Sequence, residues 1–343
     1  MAKINETREE DKIEVLESDL VAVRKLPDVY IGALGNAGFI NMVREIVQNF
    51  LDPISKRYTL NKHGVVSYDE RNHTVIVEDY GPGIELDKLV AVYSKLHSSS
   101  NYNKKEGSGN YSSGKNGMGG TITNYLSKFF IAESYRADGT AAKVEFEEGI
   151  LNKKGLQTIK CPKGRTGMTV TFAPSDMMGP ITVTKDEIGQ LIWNIIHLCL
   201  IGTTVTYNTI DLSGRASTII LVNNGGIQEL LDNICESSTF NPIGFMNDNG
   251  TMKVDILFTY DTSNMDEPKI LGFANMCPTA AGKHIDAFLD AIVKYFRNYM
   301  NKIYLANNKK LTVNRQDILT GLRVVISAFH LYPLFTGKLC PSS

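Results

Sequence analysis

The chain has 343 residues, 43% hydrophobic and 21% charged, with a formal net charge of −1 at pH 7. That length accommodates two domains with separate cores, and the balanced charge excludes a globally basic nucleic-acid binder, so any DNA contact has to come from a local patch. The five cysteines (Cys161, Cys199, Cys235, Cys277, Cys340) are odd in number and lack CxxC pairing, and read as reduced, mostly buried thiols rather than a disulfide frame or zinc site.

Residues 1–12 are polar and read as an arm with no apolar signal segment. Residues 13–25 follow at helical spacing, and Pro27 ends that pattern and opens a turn into residues 29–32. The next stretch, GFINMVREIVQNFLDPI (38–54), predicts an amphipathic helix with Met42, Val43, Ile46, Val47, Phe50 and Leu51 on its apolar face. Glu45, Asn49 and Asp52 fall at i, i+4 and i+7, so they share one polar stripe. Such a stripe is either a solvated face or a set of oxygen donors able to hold a divalent cation and orient a water.

Strands are expected at 64–68 and 74–78, joined by a turn at 69–72. Asp79 falls where the second strand ends, and EDYGPGI turns the chain sharply. After a helical stretch at 86–96, residues 98–120 become rich in Ser, Gly, Asn and Lys without apolar periodicity, as in a functional lid or a disordered loop. A helix is expected at 121–126, strands at 129–134, 142–147, 156–161 and 167–172, a helix at 186–200 and a strand at 203–208. The longest apolar run, 191–201, is too short to span a bilayer and contains Asn194 and His197. The chain therefore reads as a cytoplasmic protein without a membrane partner. Near residue 215 the composition shifts, and a strand (218–222), a helix (227–235), two strands (253–260, 270–275) and a long helix (286–300) follow. The expected domains are 1–214 and 215–343.

Four pieces call for one explanation: the Glu45/Asn49/Asp52 stripe, Asp79 with Gly81 and Gly83, the segment SSGKNGMGG (112–120), and Thr166-Gly167 before a strand. An aspartate in a glycine turn can accept a hydrogen bond from an exocyclic amine while the glycines let a flat base approach. Successive backbone N–H groups of a glycine-rich segment can face phosphates.

In this order the motifs resemble the N-terminal ATPase region of type IIA DNA topoisomerases, the gyrase B and topoisomerase IV type. VRKLPDVYIG (23–32) is similar to the family's VRKRPxMYIG, REIVQNFLDPI (44–54) to its ExVDNxxDE helix, EDYGPGI (78–84) to its DNGRGI turn, KLHSSSNY (95–102) to LHAGGKF, and TGMTVTFAPS (166–175) to TGTxVxFxPD. GFANMCPTAAGKHIDAF (272–288) and QDILTGLRVVIS (316–327) resemble transducer-domain motifs.

The resemblance implies an α+β fold: a two-layer α/β sandwich of the GHKL (Bergerat) ATPase type, followed by a smaller ribosomal-S5-like α/β transducer domain. It implies ATP and Mg2+ as cofactors. Glu45 would be the general base and Asn49 the magnesium ligand. Asp79 would bind the adenine amine, with Gly83 and Ile84 lining the base and Thr166 and Gly167 closing that side. Ser112, Ser113, Gly114, Lys115, Asn116, Gly117, Met118 and Gly119 would wrap the triphosphate, and Lys338 would reach the γ-phosphate. Implied partners are double-stranded DNA, a second copy of the chain on ATP binding, and a DNA-cleavage subunit or domain, since no cleavage region is evident here. Competing readings are a nucleotide-gated dimerisation module with little hydrolysis and a MutL-like repair ATPase. Departures from the family pattern are Gln48 for an aspartate, Tyr80 and Pro82 for the Asn and Arg of DNGRGI, Met168 for a threonine, Lys283 for the threonine of GGTH, and a Lys338 whose register is off by two from the GQTK lysine. They suggest a divergent, phage- or plasmid-encoded relative.

Overall fold

The computed structural model describes residues 19–55, 61–96, 118–238, 240–306 and 313–330; the chain divides into two units at Asn223/Asn224. The first unit is built on a nine-stranded sheet of β1 (His63–Asp69), β2 (Thr74–Glu78), β3 (Ser127–Tyr135), β4 (Ala141–Glu147), β5 (Ile150–Leu151), β6 (Gln157–Thr158), β7 (Gly167–Pro174), β8 (Thr204–Ile210) and β9 (Ala216–Val222). Its order is β5-β4-β3-β7-β2-β1-β8-β9, with β6 on β4, and only the β1–β8 pairing is parallel. Along β1 and β2 every second residue is buried, as expected of a sheet covered on one face.

The cover is helical. Residues 19–25 form α1, and α2 (Pro27–Ile31), α3 (Gly35–Ser55), α4 (Leu89–Ser94), α5 (Gly119–Tyr125) and α6 (Lys185–Ile196) follow. The six apolar positions expected on α3 are all buried, and α3 packs against β2 and β7. At roughly 1.5–3 kcal/mol for each large apolar side chain removed from water, this face is a principal source of the unit's stability. Around it α3 is less amphipathic than the pattern suggests: Asn41, Arg44 and Gln48 are buried too. The helix is therefore enclosed on most sides and opens on the stripe that carries Glu45 and Asn49.

The second unit is a five-stranded sheet, β10 (Ile243–Asp248), β11 (Met252–Tyr260), β12 (Lys269–Ala274), β13 (Cys277–Thr279) and β14 (Leu322–His330), in the order β10-β11-β14-β12-β13. Its helices are α7 (Ile227–Asp232), α8 (Lys283–Ala306) and α9 (Arg315–Leu319). Ile285, Leu289 and Ile292 on α8 bury against Leu322, Val324 and Ile326 of β14.

Several sequence expectations are corrected. Pro27 starts a short helix instead of a turn, because its fixed φ and missing N–H suit the first helical position, and Gly32 at φ 91° closes that helix. The strand expected at 156–161 shrinks to Gln157–Thr158, because β6 pairs with β4 only at Ala142 and Lys143. β9 hydrogen-bonds along all of β8, so it completes the first sheet and does not open a second domain at 215. The four described cysteines are half-buried, not buried, and no disulfide joins any two of them.

Candidate functional site

The stripe on α3 faces the start of α5. A Cβ added at Gly119 would collide with Glu45 Oε2 and lie 2.7 Å from its Cδ, so only a glycine lets the carboxylate rest against the main chain here. One residue on, a Cβ at Gly120 would sit 3.8 Å from Asn49 Nδ2 and 3.0 Å from the Tyr93 ring. Glu45 and Asn49 thus meet the same turn of α5, one helical turn apart on α3. Burial raises the Glu45 carboxyl above the usual range, and the neighbouring Arg44 guanidinium pulls the other way. Asn49 is exposed. Nothing is described of the Asp52 side chain.

The second half of the site is the turn after β2. Because β2 pairs with β7 in the register Glu78↔Thr169, Asp79 falls opposite Met168, to whose carbonyl its N–H donates at 2.9 Å. Asp79 is 8% exposed. Its Oδ1 accepts from the Gly81 N–H at 2.7 Å, and the Met168 N–H also acts on the carboxyl. Burial pushes this carboxyl up to about 6, against the pull of the Gly81 and Met168 hydrogen bonds and the Arg165 charge.

Gly167, at φ 100°, packs directly on Asp79: a Cβ there would collide with the Asp79 carbonyl and come 2.5 Å from Oδ1. Gly83, at φ 70°, would place a Cβ 2.6 Å from the Tyr135 carbonyl and 3.3 Å from that of Gly167. Thr166 Oγ1 donates to the Tyr80 carbonyl at 3.3 Å. Ile84 is half-buried, and its N–H and C=O both bond the hydroxyl of buried Ser134, at 2.9 and 2.6 Å. The structure therefore brings Asp79, Gly83, Ile84, Thr166 and Gly167 together. Met118 and Gly119 lie with Glu45 and Asn49. Ser112, Ser113, Gly114, Lys115, Asn116, Gly117 and Lys338 lie outside the described residues.

Three residues near the site went unread in the sequence. Tyr93, 6% exposed, stands against Gly120, and its phenol is raised by burial and, to a lesser extent, by the charge of Asp79. Arg165 and Arg136 both bond the Asp79–Gly83 turn from outside it. Arg165 donates to the Asp79 carbonyl, and Arg136 Nη1 donates to those of Pro82 and Gly83 at 2.9 Å each. The one signal for Arg165 was a basic residue immediately before Thr166-Gly167.

Residues 225–338 match the family model for DNA gyrase B. Over 332 residues the chain is 25% identical to the DNA gyrase B protein of Thermus thermophilus, covering 93% of this chain and 50% of that protein. It is 28% identical to the B component of DNA topoisomerase 4 of Staphylococcus aureus over 334 residues, 93% of this chain and 48% of that protein. Among solved structures, the 43K ATPase domain of Thermus thermophilus gyrase B, in complex with an aminocoumarin, superposes with a TM-score of 0.70 at 25% identity, covering 95% of this chain and 85% of that one.

The chain is similar to the ATPase regions of type II topoisomerases. Its mixed α+β architecture is that of the GHKL ATPase domains of gyrase B and topoisomerase II. The gyrase-B-like chain spans about half the length of the curated relatives it matches. Among its described residues no helix is long and apolar enough to cross a membrane.

Proposed function

We propose that this chain binds ATP between α3, α5 and the Asp79–Gly83 turn and hydrolyses it as the ATPase part of a type II topoisomerase. The observation that carries this reading is the seat of Glu45 against Gly119, with Asn49 beside Gly120 and the buried Asp79 carboxyl against Gly167. The Asp79 carboxyl would accept a hydrogen bond from the adenine amine. Met118 and Gly119 would give phosphate oxygens close access to the main chain.

Glu45 would orient the attacking water and take up its proton late, a role suited to a carboxyl whose proton affinity burial has raised. A small hard cation takes oxygen donors and keeps most of its waters and phosphate oxygens, needing only one or two protein ligands. The exposed Asn49 carboxamide fits that need for Mg2+, and no cluster of three or more His, Cys, Asp or Glu forms an all-protein cage among the described residues. Bound there, the metal supplies charge neutralisation on the phosphates.

ATP binding would close two copies of the chain into a clamp around double-stranded DNA, with a separate cleavage subunit or domain cutting the duplex. Support for the DNA contact comes from α8, where every charged residue described after Asp290 is basic: Lys294, Arg297 and Lys302, all exposed. DNA binding through them would weaken steeply with salt.

The test is nucleotide-induced thermal stabilisation and phosphate release for the wild type beside Glu45→Ala and Asp79→Ala. Glu45→Ala should bind and not turn over, and Asp79→Ala should lose binding. A specific feature favours the second reading, a nucleotide-gated dimerisation module: Gln48 Nε2 is buried without a partner among the described residues, where the resembled family carries an aspartate. That module stands if the wild type binds ATP but releases phosphate no faster than Glu45→Ala.

A further inference from the structure

The base-reading turn contains no arginine of its own, since Pro82 stands at the position where the resembled family carries one. An arginine just ahead of β7 reaches it instead. Arg165 closes the tight turn 162–165, its N–H bonded to the Pro162 carbonyl at 3.0 Å, and its side chain is only 12% exposed. Its guanidinium carbon lies 4.7 Å from the ring centroid of Tyr80 and 4.8 Å from that of Tyr135, so the planar cation is held by two aromatic rings. Nη1 donates to the carbonyls of Asp79 and Thr166. Nη2 donates to the Met168 carbonyl and to Thr169 Oγ1, each at 3.1 Å, and stands 3.9 Å from Glu78 Oε2.

These contacts select particular parts of the site. Asp79, Tyr80, Thr166 and Met168 are the residues that set where the Asp79 carboxyl sits and which way it points. Two of the carbonyls that Arg165 gathers, those of Asp79 and Thr166, come from the end of β2 and the lead into β7, the two segments that meet at the proposed base site, and Thr166 itself bonds Tyr80. A lysine in its place has a point charge and three donors, and cannot lie flat against two rings while reaching all of these acceptors. Both Nη groups are committed to protein acceptors and the guanidinium faces to two rings, so it acts on the base through Asp79 and not by touching it.

We infer that Arg165 is a positioning residue for purine selection: it fixes the Asp79 turn so that the carboxyl meets the 6-amino group of ATP. The inference rests on the proposed ATP site. Inosine triphosphate, which carries a 6-oxo group where ATP has the amine, separates this role from a structural one. If Arg165 aims Asp79, its removal weakens ATP binding and leaves inosine triphosphate binding nearly unchanged. If Arg165 only supports the fold, both fall together.

The experiment measures dissociation constants for both nucleotides, with magnesium present, on the wild-type chain, Arg165→Ala and Arg165→Lys. The wild type should favour ATP on the order of tenfold or more, as one hydrogen bond to a charged group allows. In Arg165→Ala the ATP constant should rise on the order of tenfold and the inosine constant less than about threefold, so that the preference collapses. Arg165→Lys, which keeps the charge and stem, should lose most of the preference as well, and it carries the comparison if the alanine variant does not fold. Equal weakening for both nucleotides, or an unchanged preference, overturns the role of Arg165 and leaves the ATP site standing. A wild type that binds neither nucleotide removes the site and the inference with it.

Discussion

Substituting Gly119 with alanine separates the stability of α5 from the seat of Glu45. Gly119 is helical and its φ is not positive, so the backbone accepts an alanine, and helix propensity alone favours the change by about 1 kcal/mol. The new Cβ would overlap Glu45 Oε2 and lie 2.7 Å from Cδ and 3.1 Å from Cβ of the same side chain. The carboxylate is the far end of a flexible chain and swings aside, while its Cβ has to give only a few tenths of an ångström. Net stability should therefore change by less than ~1 kcal/mol, about 2–4 °C in Tm for a unit of this size. The carboxylate moves by an ångström or more, and a displacement of that size costs on the order of 100-fold in rate. Phosphate release should fall toward the level of Glu45→Ala, and the double variant should be no slower than Glu45→Ala, because both changes remove one function. Thermal unfolding beside a phosphate-release assay measures both quantities. Wild-type turnover in a well-folded Gly119→Ala protein would refute the placement of Glu45 as the hydrolytic carboxylate.

Two further substitutions test the packing and the electrostatics. In Asp79→Asn the isosteric amide removes a group whose folded value is raised from 3.8 to about 6. The folded wild type holds that proton more tightly than the unfolded chain, so its contribution to stability is full below pH ~4 and lost as pH rises through 6; the variant should gain on the wild type by up to ~3 kcal/mol between pH 4 and 7.5. Urea unfolding of both proteins across that range checks the sign, and a variant that loses ground with rising pH contradicts it. Gly64→Ala, on β1, would drive a Cβ into the Phe50 ring and to 2.9 Å from the Glu78 carbonyl, overpacking the junction of α3 with the sheet. It should cost ~1–3 kcal/mol in urea unfolding, and a neutral result would show that α3 shifts freely on the sheet.

The parts of the fold legible in the sequence are those with a local period. α3 was readable because its apolar residues recur at helical spacing, and β1 and β2 because their burial alternates around a compact turn. β14 escaped because Leu322 to Ala328 are buried without alternation, as befits a strand at the centre of its sheet with helices packed over it. β10 escaped for the opposite reason: it is an edge strand with every residue exposed, so no in–out pattern marks it. At the site, Glu45, Asn49 and Asp79 announce themselves by residue type and spacing. Tyr93 and Arg165 do not, because their positions follow from long-range pairing. The β2–β7 register brings Asp79 beside Met168, and the α4–α5 packing brings Tyr93 to Gly120. The boundary near 215 was misplaced because β9 carries a fresh hydrophobic run whose partner, β8, lies in the preceding unit.

The most direct measurement is a crystal structure of the chain with magnesium and a non-hydrolysable ATP analogue. The purine amine should lie within hydrogen-bond reach of the Asp79 carboxyl, with the terminal phosphate near Gly119 and Glu45 directed at the space where a water attacks it. A base bound away from Asp79, or a Glu45 side chain turned from the phosphate with the analogue in place, would contradict the account.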